Sequence, residues 1–231
     1  MVKLKFYLLI LLSNIIYGQN NSSNIIVGSE EETELTFQKY DSLIIKKDLK
    51  KLEDVKNDTP ENLIKSILSA TTQEWVDYNT MGASLKSSKR NADYFTKIKQ
   101  MDRDKNYIQL VHKVVFQIGG VPTEIIKFYF KQENSKITSG CYVLQKIDNR
   151  WYKVSNSTTA NLTILIMRLK TDVLLELFSG KISNPKLKEV YNKIYSGKVL
   201  DLRKFENTFF SWYGPIKNNE ILNLTIDSKT W

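Results

Sequence analysis

Residues 106–118 read NYIQLVHKVVFQI and are followed at once by Gly119-Gly120. Ile108, Leu110, His112, Val114, Phe116 and Ile118 alternate with Tyr107, Gln109, Lys113 and Gln117, and Val111 and Val115 join this second set. A period of two is that of a strand, and this pattern puts the first set on one half-buried face. The glycine pair is a turn. Beyond it, residues 123–131, 137–147 and 150–155 read as further strands, with Asn134-Ser135 and Asp148-Asn149 between them. Consecutive strands joined by short turns make an antiparallel meander. Residues 94–101 read as one more strand ahead of it.

The period is helical upstream. Leu63, Ile64, Ile67, Leu68, Thr71, Trp75 and Tyr78 share a face over residues 59–80. Asp58 or Thr59 can cap this long helix, Pro60 suits its first turn, Glu61 favours its positive end, and Gly82 can stop it. Ser29 with Glu32 forms a capping-box pattern that predicts an earlier helix running into Phe37 and Tyr40. Residues 19–28 are rich in Asn and Ser and read as flexible. Downstream, Leu162, Leu165, Ile166, Leu169, Val173, Leu177 and Phe178 predict one amphipathic helix. Asn184-Pro185 opens a second. Asp201 opens a third, carrying Phe205, Phe209 and Trp212. Phe178-Ser179-Gly180-Lys181-Ile182 is echoed by Tyr195-Ser196-Gly197-Lys198-Val199, as expected of helix stops with Gly just past the end. Residues 221–226 can form a last strand.

The fold class expected is therefore α+β: a curved antiparallel sheet packed on a long helix, with a helical C-terminal extension. The boundaries expected are a leader at 1–18, a flexible segment and helix at 19–58, the α+β unit at 59–160 and the extension at 161–231. The leader reading rests on Lys3 and Lys5, an apolar run from Phe6 that is too short for the ~20 residues a bilayer needs, and Gly18 at the cut. It predicts export to the periplasm or beyond, with Gln19 as the new N-terminus. The single Cys, Cys141, leaves no internal disulfide, so a hydrophobic core must hold the fold. No lipid-anchoring Cys follows the cut.

The net charge is +9 and the pI about 9.3. The basic residues are nearly all lysines spread along the chain, and arginine is the usual bidentate reader of phosphates and guanine. The clustered Lys46, Lys47, Lys50 and Lys51 are interleaved with Asp48, Glu53 and Asp54, as on a solvated face. The composition argues against a nucleic-acid partner.

A helix beginning Thr59-Pro60-Glu61 and ending at 70–78, followed by a meander with a strand at 126–130 and closing on Asp148-Asn149-Arg150-Trp151-Tyr152, resembles the nuclear transport factor 2-like, or cystatin-like, α+β cone over about residues 59–155. The chain is also similar to exported proteins of Bacteroidetes-type bacteria. The resemblance implies a half-barrel whose concave face packs on the helix and can leave a pocket. That superfamily holds isomerases, dehydratases and cyclases beside non-enzymatic binding modules, so fold alone does not decide function.

His112, the sole histidine, is the candidate general base, against a bland reading as a hydrogen-bonded core residue. Glu124 is its candidate acid partner. A two-residue loop at Gly119-Gly120 sets His112 opposite Lys127 and Glu124 on the far face; a bulge or longer loop reverses this. Cys141 reads as a buried structural thiol. One His and one Cys do not close a zinc site without carboxylates. No Gly-rich phosphate loop or serine elbow is visible, so no cofactor or metal is expected. The leading expectation is a non-catalytic binding or interaction module for a small molecule or envelope protein. The alternatives are a small-molecule isomerase or lyase using a cone pocket, and an envelope-complex or immunity-type protein that docks through Phe205, Phe209 and Trp212.

Overall fold

The computed structural model describes residues 21–27, 31–82, 90–155, 157–196, 199–200 and 226–230. Its strands are β1 (Asn21–Val27), β2 (Glu31–Lys39), β3 (Ile44–Lys46), β4 (Tyr107–Ile118), β5 (Val121–Lys131), β6 (Thr138–Ile147), β7 (Arg150–Val154), β8 (Tyr195–Ser196) and β9 (Val199–Leu200). Its helices are α1 (Pro60–Ser69), α2 (Gln73–Tyr78), α3 (Ala92–Gln100), α4 (Ala160–Arg168), α5 (Thr171–Ser179) and α6 (Pro185–Ile194). The fold is α+β: an antiparallel sheet in the order β7-β6-β5-β4-β2-β1, extended by β9 and β8, with β3 also paired to β4.

The meander forms where its alternation predicts. Gly119 and Gly120 both take positive φ, as do Asp148 and Asn149. This is the primed-turn geometry that matches strand twist in two-residue hairpins. Ile118 then faces Val121, and Ile147 faces Arg150. β5, the middle strand of the meander, is buried on both faces from Thr123 to Phe128.

The face assignment of β4 needs correction. A bulge lies between Leu110 and His112: Leu110 pairs with Phe128 and His112 with Lys127, leaving Val111 over. One extra residue turns every later side chain to the other face. Ile108 and Leu110 therefore pack with Leu63, Ile64, Ile126 and Trp151, whereas Val114 and Phe116 pack with Leu35, Phe37, Ile125 and the helices after residue 160. All even residues from 108 to 116 are buried, but in two cores on opposite sides of the sheet.

Other expectations also yield to the structure. Residues 19–28, read as flexible, include β1, and the helix expected from Ser29 is β2. Leu35 and Phe37 are buried while Glu34 is exposed, a period of two that β-branched Thr33 and Thr36 favour. The long helix is divided at Ala70–Thr72, where Ala70 turns extended and the Thr72 hydroxyl accepts the Trp75 N–H at 3.2 Å, capping α2. Threonine bonding its local backbone competes with helix continuation. Residues 94–101 are helical, not a strand, because the Asn91 side chain caps α3 by accepting the Tyr94 N–H at 2.9 Å. The 162–178 helix is broken at Leu169, which is extended and bridges Ile226. Asn184 does cap α6, accepting the N–H groups of Lys186 and Leu187. The Asp201 helix lies outside the described residues, as does 221–225.

α4, α5 and α6 lie against the sheet and share its core: Leu162, Leu165, Ile166, Leu174 and Leu177 pack with Phe37, Val114 and Ile125. On the outer edge of β7, the main chain is covered. Trp151 N–H donates to Asn57 at 2.8 Å, Lys153 N–H to Asn79 at 2.9 Å, and Met81 N–H to Lys153 at 2.9 Å. This removes an open edge that would invite pairing with another chain. Behind it a buried polar chain runs from Asn57 to the Asn79 side-chain oxygen, which also accepts from Ser66; Ser66 in turn accepts the Trp75 indole N–H.

Gly140 faces Phe128 across β5 and β6, and a Cβ there would stand 2.8 Å from the phenyl ring. Gly140→Ala is expected to cost about 1–3 kcal/mol through overpacking, read as a lowered urea midpoint.

Candidate functional site

Two polar clusters cross the sheet's interior, one on each face. The first forms around Lys127, at the centre of β5. Its side chain is 0 % exposed, and its ammonium meets the Asp227 carboxylate at 2.8 Å. It also donates to the Leu169 carbonyl at 2.8 Å. Tyr129, two residues along the same face, donates its hydroxyl to Asp227 at 2.6 Å. Burial pulls the Lys127 ammonium down while Asp227 opposes that shift. Burial would raise the Asp227 carboxyl, but the bonds from Lys127 and Tyr129 outweigh it and hold the group below its ordinary value. Asp227 also donates its N–H to the Arg168 carbonyl at 2.8 Å. One buried ion pair thereby ties the chain's last described segment to α4 and to the middle of the sheet.

His112 is next to this pair and 0 % exposed. Its Nε2 is 3.3 Å from the Ile166 carbonyl and its Nδ1 3.1 Å from the Thr171 hydroxyl. A carbonyl can only accept, so Nε2 carries the proton and Nδ1 accepts from Thr171. The ring leans on Phe37, with centroids 5.1 Å apart. Burial, helped by the Lys127 charge, lowers its pKa to about 3. The imidazole is neutral, and both nitrogens are engaged by the protein. Cys141, opposite Lys127, has its thiol pushed up by burial, away from thiolate chemistry.

Glu124 belongs to the second cluster. It pairs with Val115, and the two-residue turn places it on the face away from His112. His112 and Glu124 therefore do not form a dyad. Glu124 instead receives Lys113, whose ammonium is 3.1 Å from Oε2 and donates to Oε1 at 3.3 Å. Lys113 also approaches Glu61 at 3.5 Å. The Tyr40 hydroxyl donates to Glu61 at 2.6 Å. Burial raises the Glu124 carboxyl, with Lys113 opposing. Burial and Glu61 together hold the Tyr40 phenol protonated. The arrangement places two carboxylates on one ammonium at the start of α1, a half-buried network joining Tyr40, just past β2, with α1, β4 and β5.

Phe205, Phe209 and Trp212 lie outside the described residues. A cleft of about 430 Å3 opens beside the turn between α5 and α6, lined by Lys181, Ile182, Ser183, Lys188 and Tyr191 among others; neither His112 nor Glu124 reaches it. Sequence reasoning set Lys127 opposite His112 but missed Asp227, because nothing local links residue 227 to β5. It also missed Glu61 and Tyr40 as partners of Glu124. Glu61 has the spacing of a helix-start acid, which accounts for its residue type without a contact.

Truncating one member of a buried pair leaves the other charge stranded. Lys127→Met and Asp227→Asn are each expected to cost about 3–5 kcal/mol in denaturant unfolding, and the double variant less than their sum. The His112 pKa is lower folded than its ordinary 6.5, so the unfolded chain takes up the proton first. Its contribution is fully present above about pH 6.5 and declines as pH falls toward 3. The slope is about 1.4 kcal/mol per pH unit between those limits. His112→Gln should remove one proton's worth of that slope in unfolding curves taken from pH 7 to pH 4.

Comparison of the chain with protein-family models, with curated proteins and with solved structures found no match.

Proposed function

We propose that the chain is an exported, non-catalytic binding or interaction module on a nuclear transport factor 2-like α+β scaffold. The observation that carries the non-catalytic part is the state of His112. The strongest candidate base is sealed in the core, holds its proton toward a main-chain carbonyl, and faces away from its candidate acid. A general base must reach the proton it abstracts, directly or through one water. His112 would have to leave its packing to do so, which favours the binding reading over the isomerase or lyase alternative.

The binding part has support of a different kind. The structure offers a ligand-sized cleft between α5 and α6 on a strongly basic chain. Among the described residues no helix is long and apolar enough to cross a membrane. The export part rests on the Lys3–Gly18 leader pattern.

Native mass spectrometry of the protein purified from its host's envelope fraction tests the export and binding parts. The expected spectrum shows a chain beginning at Gln19 that carries a small molecule or a second protein in fixed ratio. A chain beginning at Met1 and found in the cytosol contradicts export. A bare chain contradicts binding.

A further inference from the structure

The turn between α5 and α6 is short and held at nearly every residue. Gly180 ends α5 in the left-handed region, at φ 67°. The Ser179 hydroxyl accepts the Lys181 N–H at 3.2 Å. The Glu176 carboxylate accepts both the N–H and the hydroxyl of Ser183, each at 3.0 Å. Asn184 then caps α6, and Leu187 sinks into the core one turn later. A Cβ on Gly180 would stand 3.1 Å from the Tyr191 hydroxyl, so the glycine lets that ring close on the end of α5. Ile182 and Tyr191 both pack against the larger core. The cleft of about 430 Å3 beside this turn therefore has fixed walls. Its volume falls in the range of small-molecule sites, about 300–1,000 Å3.

The lining gives the cleft a chemical character. Ile182 and Tyr191 are its half-buried apolar members, and Lys181 and Lys188 are its exposed cations. Ser183 and Asn192 add neutral polar groups, and no carboxylate is among the lining residues. The acid on the adjoining helix, Glu176, already receives both donors of Ser183. Elsewhere on the surface lysines find acids: Lys46 meets Asp104 and Lys105 meets Glu133. Among the described residues neither the Lys181 nor the Lys188 ammonium has a hydrogen bond or an ion pair. What sets these two apart from other lysines without an acid is that one cleft holds both, beside an aromatic ring.

We propose that the cleft between α5 and α6 binds a small molecule carrying an oxyanion, a phosphate, sulfate or carboxylate, on an apolar body. Lys181 and Lys188 meet the anion, and Ile182 and Tyr191 meet the body. The inference rests on the binding reading above and gives its ligand a chemical class. An ammonium is a point charge on a flexible stem, so two of them at one rim can follow an anion of either tetrahedral or planar shape. The apolar members supply the contact area that an exposed charge pair alone does not.

The test is a titration of the intact chain with phenyl phosphate at constant ionic strength, followed by NMR of the Tyr191 ring and the Ile182 methyls. The expected result is a saturable shift at both. Benzyl alcohol, which lacks the charge, and inorganic phosphate, which lacks the body, should each bind at least about fivefold more weakly. Lys181→Met and Lys188→Met should each weaken phenyl phosphate binding about fivefold, the factor that about 1 kcal/mol carries at 25 °C. Lys188→Arg, which keeps the charge, should bind, and Lys136→Met, on an exposed loop, should not differ from the parent. A parallel benzoate titration separates the sources: saturation by benzoate alone assigns a carboxylate, and saturation by phenyl phosphate alone a phosphoryl or sulfuryl group. Benzyl alcohol binding as tightly as phenyl phosphate overturns the site, as do shifts that spread without saturation or that survive loss of both lysines. A ligand retained in native mass spectra but indifferent to Lys181→Met and Lys188→Met sinks this inference and leaves the binding reading standing. A bare chain that still binds phenyl phosphate through the two lysines does the reverse.

Discussion

The fold depends on a single extra residue in β4. Val111 has no partner in β5, and the bulge it makes turns the strand over. The first half of β4 sends Ile108 and Leu110 to the α1 side; the second half sends Val114 and Phe116 to the α4–α5 side. The neighbouring chain breaks at the same height. β2 pairs with residues 112–115 and β3 with 107–109, and Tyr40 and Leu43 bond the main chain on either side of the bulge. A straight β4 would leave one half of its apolar residues facing the wrong layer. With the bulge, a single sheet carries a core on each side, and β5 is buried on both.

Two-sided burial decides what the polar residues can do. A charged group on β5 between Thr123 and Phe128 points into one core or the other and needs a partner brought from elsewhere in the chain. Lys127 takes Asp227, one hundred residues downstream in sequence, and Glu124 takes Lys113 from the adjacent strand. These are the contacts of groups held in place by structure. His112 belongs with them: its hydrogen bonds join β4 to the C-terminal end of α4 and to the start of α5. Arg150 is held without an acid: its guanidinium stacks between the rings of Tyr78 and Tyr152 and donates to the Tyr78 carbonyl.

Much of the sheet was legible before any coordinates. Alternation and turn residues located β4 to β7 within about two residues, and the Gly119-Gly120 loop left two registers, of which the two-residue form is the one adopted. The bulge was not legible. Ile108 to Phe116 keep an unbroken alternation of buried residues, and which core each enters depends on partners far away in sequence. β2 carried a legible period of two that a capping-box pattern outweighed. The breaks at Ala70 and Leu169 were hidden for opposite reasons: the first lies in local threonine bonding, the second in a tertiary bridge to Ile226 and a hydrogen bond from Lys127. The candidate site suffered most from this. His112 and Glu124 were recognisable as unusual residues on buried strands, but their separation is a property of register, and their true partners, Ile166, Thr171, Glu61 and Tyr40, come from segments that local pattern does not connect.

β4 changes faces at Val111, so that His112 and Leu110 lie in different cores. Nuclear Overhauser contacts to methyl and aromatic protons of the intact chain test it directly. The expected spectrum shows the His112 ring in contact with Phe37 and Ile166, and the Leu110 methyls in contact with the α1 side, Leu63 and Ile64 among them. Contacts from the His112 ring to Leu63 or Ile64, or from Leu110 to Ile166, would mean that β4 runs straight and that His112 faces the α1 side of the sheet after all.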